Sequence, residues 1–159
     1  MANSTPSRRR LADRQAELVR ALTGAGDVPA GFDRARVERA ARSLVGKRVA
    51  EVARAWPALA AALGERYGER FRAYARRTPP PEHGGPLADG RAFADTLATD
   101  EWTDAAVWER LTVDLHHRRD RRGLRRRRGF GLAWARLPHA GRLVVRLRLP
   151  GGRVVALWG

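Results

Sequence analysis

Up to His117 the apolar residues of this chain recur at helical spacing, and from Gly129 onward they alternate with a period of two. Leu11, Leu18, Val19 and Leu22 line one face of a first helix, which Ser7 is placed to cap and Gly24 and Gly26 to end. Asp33 caps a second helix whose buried stripe is Val37, Ala41, Leu44, Val45, Val49 and Val52, with Gly46 as a point of bending. Pro57 breaks that helix and suits the first turn of a short one, Ala58 to Leu63. Beyond Gly64, Tyr67, Phe71 and Tyr74 mark a further amphipathic segment. Residues 78–86, TPPPEHGGP, are expected to run as an extended connector outside the bundle. Asp89 is then the expected cap of a short helix carrying Phe93 and Leu97. Thr103 or Asp104 opens a last helix with Val107, Trp108, Leu111 and Leu115 inward.

The second period predicts strands. Phe130, Leu132 and Trp134 alternate with Gly131, Ala133 and Ala135; Leu143, Val145, Leu147 and Leu149 alternate with Arg142, Val144, Arg146 and Arg148. Turns at 138–141 and 150–152 separate these runs from each other and from a third, Val154 to Trp158. The expected fold is α+β and mainly α, with five to six helices followed by a three-stranded antiparallel meander. Three strands need one face covered, so the sheet should dock on the last helix. The implied organisation is a flexible N-terminus over 1–7, a helical domain over 8–117, an arginine-rich linker over 118–128 and the sheet over 129–159.

Charge changes this picture in one place. Residues 1–100 hold 18 basic and 12 acidic side chains, net +6, whereas residues 101–159 hold 14 and 5, net +9. Eight arginines and one aspartate fall in the eleven positions Arg118 to Arg128. Lys47 is the only lysine; coding bias can trade lysine for arginine but cannot create an excess of cations over carboxylates. So dense a run must be solvated or meet an anion. One reading is a phosphate-binding surface formed by Arg118, Arg119, Arg121, Arg122, Arg125, Arg126, Arg127 and Arg128. Arg136, Arg142, Arg146 and Arg148 would extend it over the sheet, and Trp134 or Trp158 would stack on bases. The other is a solvated linker, with Trp134 and Trp158 in the core.

Catalytic and metal chemistry find little support. The absence of cysteine excludes disulfides, thiolate metal sites and thiol catalysis. His116 and His117 point about 100° apart on a helix and cannot share a metal; His83 and His139 fall in expected loops. No glycine run has the context of a phosphate loop, and Glu65 and Glu69 beside Arg66 and Arg70 read as an ion-paired surface. The basic start, Ser7 to Arg10, lacks the apolar run of an export signal, and no segment approaches the ~20 apolar residues of a membrane span. The expectation is a cytoplasmic protein without catalytic residues, bound metal or cofactor. Trp56, Trp102 and Trp108 are candidates for a partner groove, against the alternative that they are core.

Taken together, Ala55-Trp56-Pro57-Ala58-Leu59, Leu63-Gly64, Tyr67, Phe71, Tyr74, Pro79-Pro80-Pro81, Gly90, Phe93 and Leu97 resemble the N-terminal helical domain, named as DNA-binding, of the accessory proteins of bufferin maturation. There an aromatic-Pro pair precedes Leu-Gly, an aromatic helix, a Pro-rich connector and a Gly-x-x-Phe helix. Leu11, Gln15 and Leu18 suit the first helix, so the resemblance spans roughly residues 8–98 and is similar to an actinobacterial branch. Relatives occur alone or appended to a barrel enzyme whose multinuclear iron centre modifies cysteines of a small peptide. The second helix departs from the pattern, with Arg39, Arg42, Lys47 and Arg48 but no tyrosine. The resemblance implies a non-catalytic accessory subunit whose partners are the iron-dependent enzyme and its peptide substrate. Nucleic acid is the alternative partner class, and no membrane is expected.

Overall fold

The computed structural model describes the backbone of residues 4–24 and 26–158 and the side chains of residues 8–24 and 26–157. Six α-helices lie among these residues: α1 (Ser4–Leu22), α2 (Arg34–Ala55), α3 (Pro57–Leu63), α4 (Arg66–Ala75), α5 (Gly85–Ala94) and α6 (Asp104–His116). Five strands follow: β1 (His117–Asp120), β2 (Gly123–Arg126), β3 (Gly131–Arg136), β4 (Leu143–Arg148) and β5 (Val154–Trp158). The fold is thus α+β and mainly α, ending in an antiparallel sheet of order β3-β4-β5. Among the described residues no helix is long and apolar enough to cross a membrane.

Two compact units divide the chain. The first comprises residues 1–49 and 70–80. Helix α1 begins at Ser4, so its backbone starts three residues before the expected cap Ser7, whose side chain lies outside the described residues. Leu11 and Val19 are exposed, and Ala21 rather than the leucine face is buried. Asp33 does cap α2, its Oδ1 accepting from the Arg36 amide at 3.1 Å. Of the predicted α2 stripe, Val37 is buried within this unit and Leu44 is exposed. Arg48 Nη1 donates to the carbonyls of Ala75 (3.2 Å) and Thr78 (3.1 Å), and its guanidinium lies over Phe71 and Tyr74. Those two rings meet edge-on at 5.5 Å.

The second unit comprises residues 50–69 and 81–159. Its centre is Trp56, fully buried, with Nε1 donating to the Leu87 carbonyl at 3.0 Å. A Cβ on Gly90 would lie 2.3 Å from Trp56 Cδ1, so only glycine lets α5 approach the indole. This contact is the physical content of the Trp56-Pro57 and Gly90-x-x-Phe93 signature. Pro57 opens α3, and the Glu109 carboxylate of α6 accepts from the amides of Ala58 (3.1 Å) and Leu59 (3.0 Å). A carboxylate is favoured there because the N-terminal amides of a helix lack internal acceptors. Leu59, Leu63, Phe93, Leu111 and Leu115 complete the core, and Tyr67 meets Phe93 edge-on at 6.1 Å. The Tyr67 phenol is pushed well above its ordinary range by burial and then by nearby Asp89.

Three expectations need correction here. The connector stops short: Gly84 takes a left-handed φ of 89° and α5 starts at Gly85 with Pro86 in its first turn. Asp89 therefore lies buried inside α5 instead of capping it. And residues 118–128 are not a linker: β1 and β2 pair as a hairpin, Asp120 opposite Gly123, with a two-residue turn at Arg121-Arg122. The hairpin is anchored by the Leu124 side chain, which is buried, and by His83, whose amide donates to the Arg122 carbonyl while its own carbonyl accepts from Leu124.

The three-stranded sheet docks on α6, as its need for cover requires, with β3 and β4 against the helix. The face it buries is the one with the small side chains. Register pairs Trp134 with Val145 and Leu157, and Leu132 with Leu147 and Val155, so the bulky side chains share one face. The helix packs on the opposite face, where Ala133 and Val144 are buried. A Cβ on Gly131 would come within 2.2 Å of the Leu115 carbonyl. The small residues allow the sheet to lie close on α6. The large ones are left outside.

Candidate partner-binding surfaces

The arginine run folds into something more ordered than a cationic strip. Arg119 pairs with Asp95, Arg122 with Glu82 at 3.6 Å, and Arg125 with Asp120 at 3.1 Å. Arg127 is half-buried and donates from Nε to the His117 carbonyl at 3.1 Å. Asp120 is a turn residue as well as a counter-ion. The Arg122 amide donates to it at 2.8 Å, and that bond, helped by the Arg125 charge, holds its carboxyl below the usual carboxylate range. Arg118, Arg121, Arg126 and Arg128 are exposed and carry no ion pair among the described residues. The pairs of Arg119, Arg122 and Arg125 are themselves on the surface, where such contacts contribute little and can be exchanged for other anions.

Of the four sheet arginines, two are drawn into the packing and two stay exposed. Arg146 Nη1 donates to Thr112 Oγ1 at 3.0 Å, and its guanidinium stacks on Trp108 at 5.4 Å, so it is drawn onto α6. Arg148 Nη1 donates to the carbonyls of Arg127 (3.3 Å) and Gly129 (3.1 Å). Both lie on the packed face, and Arg148 holds the chain between the hairpin and β3 in place. Arg136 stays exposed, with Nε to the Gly141 carbonyl at 3.2 Å, and Arg142 is exposed at the start of β4.

The three candidate tryptophans separate. Trp56 is wholly core and cannot form a groove. Trp108 is half-buried beneath Arg146. Trp102, 7% exposed, lines a cleft of about 680 Å³ with Thr99, Val107, Arg110, Arg136 and Leu137; the Arg110 guanidinium covers its ring at 5.3 Å. An ionic cluster lies near by: the buried Arg91 holds the exposed Asp95 and, at 2.7 Å, the half-buried Asp114. Burial pulls the Arg91 guanidinium down, but the bonds from Asp114 and Asp95 outweigh it and the net shift is upward. Among the described residues no three His, Asp or Glu side chains come together as a metal site.

What the sequence reading missed is the outer face of the sheet. Trp134 is 66% exposed, Leu157 59%, Leu132 51% and Leu143 48%, and Val155 is exposed beside them. Trp134 is therefore not core; the Trp158 side chain lies outside the described residues. Contiguous apolar patches larger than a few hundred Å² are rare on soluble monomers and are often interaction sites. The signal was in the sequence. The residues alternating with Leu132 and Trp134 are Gly131, Ala133 and Ala135, small enough to admit a helix.

Comparison with known proteins supplies the family. A family described as "SCO6045-like, C-terminal domain" matches residues 12–99, which take in most of α1 and all of α2 to α5 and stop before α6 and the sheet. A UPF0276 protein of Streptomyces avermitilis is 42% identical over 92 residues, 58% of this chain but 18% of that relative. The chain thus spans under a fifth of the length of the curated relative it matches. No solved structure matches. With more than half of its length matched, the chain belongs to the SCO6045-like, C-terminal domain family.

Proposed function

We propose that this chain is a non-catalytic binding module, an accessory subunit that recruits a peptide substrate to an iron-dependent peptide-modifying enzyme. The observation that carries the reading is the outward apolar face of β3-β4-β5, a surface with no role in the unit's own core. Two further points support it. The S. avermitilis relative is a much longer chain, so a domain like this one occurs there beside other sequence. The resemblance to bufferin-maturation accessory proteins joins such domains to peptide-modifying barrel enzymes. On this reading the iron and the chemistry belong to the enzyme, and the positive sheet and hairpin speed encounter with an acidic partner.

Nucleic-acid binding is the second reading, favoured by the four exposed arginines Arg118, Arg121, Arg126 and Arg128. The two separate in one pull-down at physiological salt, divided into nuclease-treated and untreated halves. An iron-containing barrel enzyme or its peptide retained after nuclease supports the accessory module. Loss of all bound protein with the nuclease supports the alternative. Phosphate binding through six contacts would also weaken by about 10³-fold between 50 and 200 mM salt, far more than an apolar interface.

A further inference from the structure

We infer that the outer face of β3-β4-β5 is the seat of a single amphipathic, acidic helix of a partner protein; this deepens the accessory-module reading and rests on it. The dimensions come first. Three strands span about 10 Å from the first axis to the third, and the five to six residues of each strand extend roughly 17–20 Å. A helix is about 10 Å wide and advances 1.5 Å per residue, so about 12 residues cover that length. The molecule already applies this solution once: α6, 13 residues long, covers β3 and β4 from the other side. A partner helix would complete a three-layer arrangement, its apolar stripe over Leu132, Trp134, Val145, Leu147, Val155 and Leu157.

Charge specifies the rest of its chemistry. Residues 121–159 contain eleven arginines and no aspartate or glutamate. Exposed arginines stand at both ends of the apolar face. Arg136 shares that face in register with Leu143, and Arg142 lies beside it; Arg128 and Arg153 flank the end marked by Leu132 and Val155. A helix edged with glutamate or aspartate satisfies this rim, whereas a second copy of the sheet would bring arginine against arginine. The footprint, on the order of 300 Å², is also small beside the ~800 Å² per partner of a stable protein–protein interface, which favours one segment over a whole second subunit.

The test uses the full chain and a fluorescein-labelled 14-residue peptide of leucine and glutamate, with leucines at i, i+3, i+4 and i+7. Two control peptides keep either the leucine pattern with lysine for glutamate or the composition in scrambled order. Anisotropy at physiological salt should show binding of the patterned acidic peptide, and at least tenfold weaker binding of both controls. The double substitution Trp134→Ser with Leu157→Ser should weaken it at least tenfold while the thermal melt stays unchanged. Circular dichroism should show the bound peptide gaining helix. Amide shifts in the unmutated protein should cluster at 132–134, 143–147 and 155–157, a readout that does not depend on any variant folding.

Equal binding of the scrambled peptide, an unchanged Kd in the double variant, a peptide bound as a strand, or shifts centred on 118–128 would each overturn the inference. Co-expression with the iron-dependent peptide-modifying enzyme of that reading separates this outcome from failure of the accessory role. Enzyme capture without peptide binding sinks the helix seat alone; peptide binding without capture, by the unmutated chain, sinks the accessory role alone.

Discussion

Trp56 and Trp134 both sit in apolar runs, yet one is fully buried and the other is 66% exposed. The difference lies in their neighbours. Trp56 meets Gly90, where the absence of a side chain lets a helix close over the ring, and its Nε1 finds a backbone carbonyl. Trp134 has its small neighbours, Ala133 and Ala135, on the reverse face of the strand, so the helix closes over that face instead. An alternating pattern defines two faces of a strand. Which one is buried depends on which can approach a helix closely, and bulk alone does not decide it.

The sharpest break in this comparison is a pair of truncations. Trp56→Ala should cost about 3–5 kcal/mol, the range for removing a large aromatic from a packed core, whereas Trp134→Ser should stay within about 0.5 kcal/mol as an exposed change. Urea denaturation of the two variants measures both. Neighbouring positions on β3 give the next contrast. Gly131→Ala forces a Cβ against the Leu115 carbonyl and should cost about 1–3 kcal/mol, as overpacking does. Leu132→Ala, on the outer face, should leave the denaturation midpoint nearly unchanged. If Leu132→Ala proved the more costly, the assignment of the sheet faces would be reversed.

Smaller effects sharpen the account of the core. Glu109→Ala removes the carboxylate that accepts from the Ala58 and Leu59 amides and should cost about 1 kcal/mol, the usual value of a lost helix cap. Calorimetry would register it as a lowered Tm. The smallest effect is a matter of pH. Burial raises the Tyr67 phenol above the value of an unfolded tyrosine, so its contribution is complete below that value and is lost as pH rises through the folded one. Tyr67→Phe should therefore flatten the alkaline limb of the stability profile above about pH 10.

Much of the helical body was legible because several levels of the sequence agree there. Asp33 and Thr103 cap the helices they were expected to cap, Pro57 opens α3, and the spacing of Trp56, Gly90 and Phe93 reflects one contact. The hairpin was hidden because arginine carries little strand signal, though Asp120-Arg121-Arg122-Gly123 is a sound turn sequence. The binding surfaces were the least legible. Arg146 and Arg148 look like surface cations until their partners, the Trp108 ring with Thr112 and the carbonyls of Arg127 and Gly129, are known. Those partners are distant in sequence, so no local pattern announces them.

If the partner docks on the apolar face of the sheet, as proposed, the arginine run has only a steering role. The most direct measurement is retention of the proposed partner, a co-expressed iron-dependent peptide-modifying enzyme with its peptide, by two variants at two salt concentrations. One variant carries Trp134→Ser with Leu157→Ser; the other carries serine at Arg125, Arg126, Arg127 and Arg128. The account predicts that the first loses the partner at either salt concentration, while the second keeps it and only associates more slowly. Retention by the first together with loss by the second would contradict it.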